Sequence, residues 1–110
     1  MRKWTVRDRR GREIYITEER WKHIIEEHEE LRGHFDDVLD AVRKGRRRQE
    51  PIDPGSYRYY CRCDSLPGGY THIMVIVAFR LRILPDKTVE PNNFIVTAWG
   101  KAKHEGSEGT

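Results

Sequence analysis

Thr71-His72-Ile73-Met74-Val75-Ile76-Val77-Ala78-Phe79 is an apolar, β-branched run in which Ile73, Val75, Val77 and Phe79 form one alternating set. It reads as the spine of a sheet, within a strand from Thr71 to Ile83. Tyr57 to Cys63 precedes it as a second strand across Leu66-Pro67-Gly68-Gly69, and Asn93 to Trp99 follows as a third. Pro85-Asp86 and Pro91-Asn92-Asn93 bracket the loop between the last two. These three strands form an antiparallel meander.

The turn at Pro67-Gly68-Gly69 decides which residues share a face. A three-residue connection puts Tyr59 and Cys61 beside Ile73, Val75, Val77 and Phe79, and leaves Arg58, Tyr60 and Arg62 with Met74, Ile76 and Ala78. A two-residue turn reverses the parity and buries Arg58 and Arg62 unpaired among the most apolar side chains, which is costly. The first register is expected. It gives one face for packing and another carrying Arg58, Tyr60, Arg62, His72 and Arg80, joined by Thr97 and Trp99 from the last strand. Such a face offers guanidinium groups for phosphate, rings for bases and a hydroxyl. The alternative is a solvated sheet face held by cross-strand pairs.

The first half of the chain supplies the cover. Trp4 to Val6 and Glu13 to Ile16 read as a small hairpin around Arg9-Arg10-Gly11. A helix is expected from Thr17 to about His28, with Thr17 as N-cap and Glu18 and Glu19 at the positive end of its dipole. Trp21, Ile24, Ile25 and His28 fall at i, i+3, i+4 and i+7, so His28 shares the core-facing stripe while His23 faces solvent. His28 has two readings: a partly buried ring with a structural hydrogen bond, or an acid/base group at the rim of the sheet. After a connector from Glu29 to His34, a second helix starts at Phe35, buries Val38, Leu39 and Val42, and stops at Gly45. The expected class is α+β: two N-terminal helices packed on an antiparallel sheet whose main strands form the C-terminal meander.

With 110 residues, 35% charged and 36% apolar, the chain has room for one core, so a single domain over residues 1–103 is expected, with 104–110 as a disordered tail. No apolar run approaches a membrane span, and Met1-Arg2-Lys3 leads into Trp4 and a basic stretch, not into a signal-peptide core. A cytoplasmic protein without a membrane partner is expected. Cys61 and Cys63 lie two apart on one strand, outside disulfide geometry. With His72 they would make a thin zinc motif under the reversed register only. No cofactor or metal is expected: there is no Gly-rich phosphate loop, no Gly-x-Ser-x-Gly and no His-Glu-x-x-His.

The formal net charge is only +3, but the cations are segregated. Arg2, Lys3, Arg7, Arg9, Arg10 and Arg12 form one block, and Arg43, Lys44, Arg46, Arg47 and Arg48 another. Clustering of this kind suits a polyanion such as RNA, and a heat-adapted, heavily charged surface is the other account.

Two helices followed by an antiparallel meander, with Trp21-Lys22-His23-Ile24-Ile25-Glu26-Glu27-His28, Tyr57-Arg58-Tyr59-Tyr60, Met74-Val75-Ile76-Val77 and Phe94-Ile95-Val96-Thr97-Ala98-Trp99, resembles the small nuclease domains of the barnase, EndoU, colicin and RelE group, above all its phage- and toxin-associated families. The likeness covers about residues 13 to 101. It implies metal-independent endoribonuclease activity, in which a ribose 2′-hydroxyl attacks the adjacent phosphate and leaves a 2′,3′-cyclic end. It further implies catalytic roles for His28, Arg58, Tyr60 and Thr97, and a toxin-type setting with a cognate antitoxin protein. Arg62, His72, Arg80, Trp99 and Lys101 are the candidate substrate-binding residues. The chain departs from the group's pattern in having no clear acid/base histidine on its last strand. A noncatalytic RNA- or protein-binding module on the same sheet is the alternative.

Overall fold

The computed structural model describes residues 2–102; the expected tail at 104–110 and the domain boundary at 103 lie outside them. The strands are β1 (Lys3–Arg7), β2 (Glu13–Thr17), β3 (Arg46–Gln49), β4 (Ser56–Arg62), β5 (His72–Ile83) and β6 (Val89–Lys101). Helices α1 (Glu18–Glu27) and α2 (Phe35–Lys44) lie between β2 and β3, linked by a 3-10 turn at Glu29–Leu31. One sheet holds all six strands in the order β1-β2-β6-β5-β4-β3. The class is α+β, with strands dominating. Among the described residues no helix is long and apolar enough to cross a membrane.

The meander has the register that keeps the arginines out of the core. Tyr59 pairs with Val75 and Cys61 with Ile73, whereas Arg58, Tyr60 and Arg62 pair with Ile76, Met74 and His72. Ile73, Val75 and Val77 are fully buried, and Phe79 is partly buried against the same core. The helices cover this face: α2 adds Val38, Leu39, Ala41 and Val42, and α1 adds Ile24. Trp4, Trp21 and Phe35 close one end with ring centroids 4.7 and 5.0 Å apart, in edge-on geometry.

Thr17 caps α1 as expected, its Oγ1 accepting the Arg20 N–H at 3.1 Å. The helix ends at Glu27, one residue before the expected limit. His28 is the C-cap, at φ −130° and ψ 76°, and its backbone N–H still bonds the Ile24 carbonyl at 2.8 Å. The chain leaves the helix there so that the 3-10 turn can bury Leu31 completely.

Four features of the sheet differ from the sequence expectation. First, it is mixed rather than antiparallel, because β2 lies parallel to β6 with Tyr15 opposite Phe94. Side chains reinforce this short contact: Tyr15 Oη donates to Asn92 Oδ1 at 3.1 Å, and Asn93 Nδ2 to the Glu13 carbonyl at 3.1 Å. Second, β3 is an additional strand, the Arg-Arg-Arg-Gln edge of the sheet. Its cations discourage edge-to-edge pairing with another chain. Third, Pro91, Asn92 and Asn93 belong to β6 instead of a loop, opposite Leu81, Arg80 and Phe79. Among the described residues β2 meets β6 at Phe94, so Pro91 lies on a stretch paired on one side only, where a missing N–H is tolerated.

The fourth difference is a β-bulge. Ile76 pairs with Thr97 but Val77 pairs with Ile95, which leaves Val96 as the extra residue. The bulge reverses the parity of β6, so Ile95 faces the core while Thr97 and Trp99 lie with Ile76 and Met74 on the opposite face.

Gly45 ends α2 for reasons of space, since its φ is −70°. A Cβ there would lie 2.1 Å from the Ala41 carbonyl oxygen and 2.6 Å from that of Tyr60, both backbone atoms. Gly45→Ala must therefore push α2 away from β4. We expect a loss of about 3 kcal/mol and a melting temperature lower by roughly 10–20 °C, read by thermal denaturation. A melting temperature within about 2 °C of native would show that the junction yields freely.

Candidate functional site

The uncovered face of the meander is organised in cross-strand rows. Arg48, Arg58, Ile76 and Thr97 form one; Arg46, Tyr60, Met74 and Trp99 the next; Arg62, His72 and Lys101 the third. Met74 is the floor, 7% exposed between Tyr60 and Trp99. Above it opens a cleft of about 160 Å³ lined by Arg48, Arg58, Tyr60, His72, Met74 and Lys101. Three obligate cations, a phenol and an imidazole thus surround one apolar floor.

Arg58 is fixed in this cleft from two sides. Its Nη2 donates to Glu50 Oε1 at 3.2 Å, and its guanidinium lies 5.4 Å from the centre of the Trp99 ring. Its Nε is buried with no hydrogen-bond partner among the described residues. His72 Nδ1 is 2.8 Å from Thr71 Oγ1, a contact that sets the tilt of the ring. Thr71 in turn bonds the Lys101 carbonyl through its backbone N–H at 3.0 Å, tying this corner to the end of β6.

The structure gathers Arg58, Tyr60, His72 and Lys101 around the cleft, with Trp99 beside Arg58 and Thr97 half-buried in the row of Arg58, across Ile76 from it. It does not bring His28 to them. His28 caps α1 on the covered side, where its Nδ1 is 3.8 Å from Glu30 Oε2, and that carboxylate accepts the Gly100 N–H at 2.8 Å. Glu30 thus ties His28 to the end of β6 at Gly100, and His28 is not among the residues that line the cleft. His23 is exposed as expected, 2.8 Å from Glu27.

Arg80 is committed elsewhere. It holds the loop before β4, donating to the Gly55 carbonyl at 2.8 Å and to Asp53 Oδ2 at 3.1 Å. The Ser56 hydroxyl and then Arg80 keep the Asp53 carboxyl below its ordinary range. Arg62 stays in the row of His72 but pairs with Asp64 at 2.8 Å. Sequence reasoning placed Arg48 in a basic block without assigning it to this site, and passed over Glu50. Arg48 is on the edge strand with no apolar pattern to reveal it, and Glu50 follows that strand directly.

On the covered side Asp8 joins the N-terminal hairpin to the meander. The sheet curls enough for the Tyr59 hydroxyl, from β4, to donate to Asp8 Oδ2 at 2.5 Å. Asp8 Oδ1 accepts the N–H groups of Arg10 and Arg12, each at 2.9 Å. Burial works against the Asp8 charge, but the Tyr59 hydroxyl, the two amides and the nearby Arg47 charge outweigh it and lower the pKa. Burial and the Asp8 carboxylate together push the Tyr59 pKa up, so the phenol stays protonated. A carboxyl with a depressed folded pKa contributes stability that is present above its unfolded value, about 3.9, and lost as pH falls through the folded one. Asp8→Asn should therefore lower stability at neutral pH and flatten its decline below about pH 4, so that the two proteins converge in acid. Urea melts across pH 2 to 7 check this, and curves that stay parallel would show that Asp8 is uncoupled from folding.

Comparison with protein families, curated proteins and solved structures returned no match to this chain.

Proposed function

We propose that the uncovered face binds single-stranded RNA and cleaves it by attack of the ribose 2′-hydroxyl on the adjacent phosphate. The observation that carries the proposal is the convergence of Arg48, Arg58, Lys101, Tyr60 and His72 around one cleft floored by Met74. Guanidinium and ammonium groups fit the nonbridging phosphate oxygens, and Tyr60 and Trp99 offer ring surface for unstacked bases. His72 takes the proton from the 2′-hydroxyl as base. The 2′-oxygen bonds to phosphorus, the bond to the 5′-oxygen breaks, and Tyr60 donates a proton to that leaving oxygen. The cations stabilise the extra negative charge on the phosphorane. The products are a 2′,3′-cyclic phosphate and a free 5′-hydroxyl. This scheme moves the acid/base role from His28, which does not line the cleft, to His72. A toxin-type setting, with an acidic antitoxin laid over the same cations, is part of the proposal.

A second reading has an observation of its own. Arg48, Arg58, Tyr60, Met74 and Lys101 line this cleft with His72, so no second imidazole among the lining residues shares the proton transfers with it. That makes a cationic, ring-lined surface the larger part of the cleft and favours a noncatalytic RNA-binding face. Incubating total RNA with the protein, with and without a chelator, and analysing the ends separates the two. The nuclease reading expects cyclic-phosphate ends that form equally in chelator. RNA binding without cleavage would leave the binding reading standing, and no RNA binding at low salt would overturn both.

A further inference from the structure

The two arginine blocks that the sequence keeps apart meet in space. Arg9 and Arg10, at the tip of the β1–β2 hairpin, and Arg46 and Arg47, on edge strand β3, line one cleft of about 300 Å³ with Asp8, Tyr59 and Tyr60. The carboxylate in it is already engaged. Asp8 accepts the Tyr59 hydroxyl on one oxygen and two backbone amides on the other. Among the described residues, no carboxylate forms an ion pair with Arg9, Arg10, Arg46 or Arg47. Arg47 is also held in place, with its guanidinium 4.2 Å from the centre of the Tyr57 ring. Its Nη1 is buried without a hydrogen-bond partner among the described residues. Four cations held near one saturated carboxylate leave an excess of positive charge in a concave site. Planar guanidinium donors match the paired oxygens of phosphate and carboxylate groups, and an RNA on the adjoining face would bring phosphates within their reach.

The position of this cleft says which phosphate it takes. Tyr60 lines both it and the cleft on the uncovered face, and edge strand β3 contributes Arg46 and Arg47 to one and Arg48 to the other, so the two clefts adjoin this edge. We infer that the Arg9, Arg10, Arg46 and Arg47 cleft is a second phosphate site, which grips the backbone of the same RNA strand after it passes from the uncovered face over the β3 edge. The inference rests on the RNA-binding reading above. It gives the N-terminal hairpin a role as a clamp on flanking nucleotides, away from the bond that is cut. Phosphate contacts of this kind position the strand without reading its sequence.

The test is the double variant Arg9→Ala/Arg10→Ala. Both side chains are exposed, and neither makes a hydrogen bond among those observed, so folding should survive and is checked by melting. Affinity for a long single-stranded RNA is measured against salt, beside a short RNA that covers the uncovered face alone. The long RNA should bind about tenfold more weakly, with a log–log salt slope shallower by roughly 1 to 2, to the same extent for different sequences. The short RNA and the cleavage rate at saturation should be unchanged. Unchanged long-RNA affinity in this variant, while Arg48→Ala weakens binding, would overturn the second site and leave the first. Unchanged affinity in both variants would remove the RNA reading as well. Titration with inorganic phosphate distinguishes the other source of the same chemistry. A phosphate response that the double variant abolishes, without any effect on RNA, would make this a site for the free ion and overturn the clamp.

Discussion

His72→Gln should slow RNA cleavage by roughly 100- to 10,000-fold while RNA affinity stays nearly native. Glutamine keeps the size and hydrogen-bonding capacity of the ring but cannot exchange a proton near neutral pH. The ring borders the cleft beside Lys101 and is oriented by Thr71, so its removal leaves Arg48, Arg58 and Lys101 in place to hold phosphate. The paired control is His28→Gln. That ring sits against Glu30 outside the cleft, so its loss should lower the melting temperature and change cleavage only in proportion to the unfolded fraction. Single-turnover cleavage and filter binding on both variants decide the matter. If the folded His28 variant lost cleavage and the His72 variant did not, His28 and not His72 would be the base. If neither changed the rate, Tyr60 with Arg58 would remain as the chemical pair.

The second large effect is on binding. RNA affinity should fall roughly 10- to 1000-fold between 50 and 200 mM salt, because each phosphate neutralised by Arg or Lys releases condensed counterions. Arg48, Arg58 and Lys101 line the cleft, with Arg46 and Arg62 in the rows beside them. Arg58 and Arg62 already have carboxylate partners in Glu50 and Asp64, so part of their charge is spent inside the protein. This keeps the expected loss below that of a fully free five-cation face. Affinity that stays flat across this salt range would replace RNA by a protein partner on the same surface.

Much of the architecture was legible because burying an arginine is expensive. The parity of Arg58 and Arg62 against Ile73, Val75 and Val77 chose the meander register, and Thr17, Phe35 and Gly45 marked helix limits through capping and close packing. Edge strand β3 was not legible, since Arg46 to Gln49 buries no alternating apolar set. The parallel contact of β2 with β6 joins residues 79 positions apart and has no local signature. The cationic face followed from strand alternation alone. His28 did not, for a geometric reason. Helical periodicity tells which residues point towards a sheet, and those residues lie on the side opposite the face that the helices leave open. Arg80 was drawn away by an acid in a neighbouring loop, which no spacing rule foresees.

Val96 has a consequence for how this protein tolerates change in chain length. It is the one residue of β6 without an opposite number on β5, and it separates an inner half that keeps Ile95 in the core from an outer half that presents Thr97, Trp99 and Lys101. Deleting Val96 would join Ile95, still opposite Val77, to Thr97, still opposite Ile76, so the bulge would become a regular ladder and every remaining side chain would keep its face. Loss of Thr97 is absorbed in the same way, with Val96 taking its place opposite Ile76. The bulge is thus a spare position: β6 can lose one residue there and keep both the core and the cleft, at the cost of local twist, whereas a second deletion has no slack left to use and turns Trp99 and Lys101 against the helices.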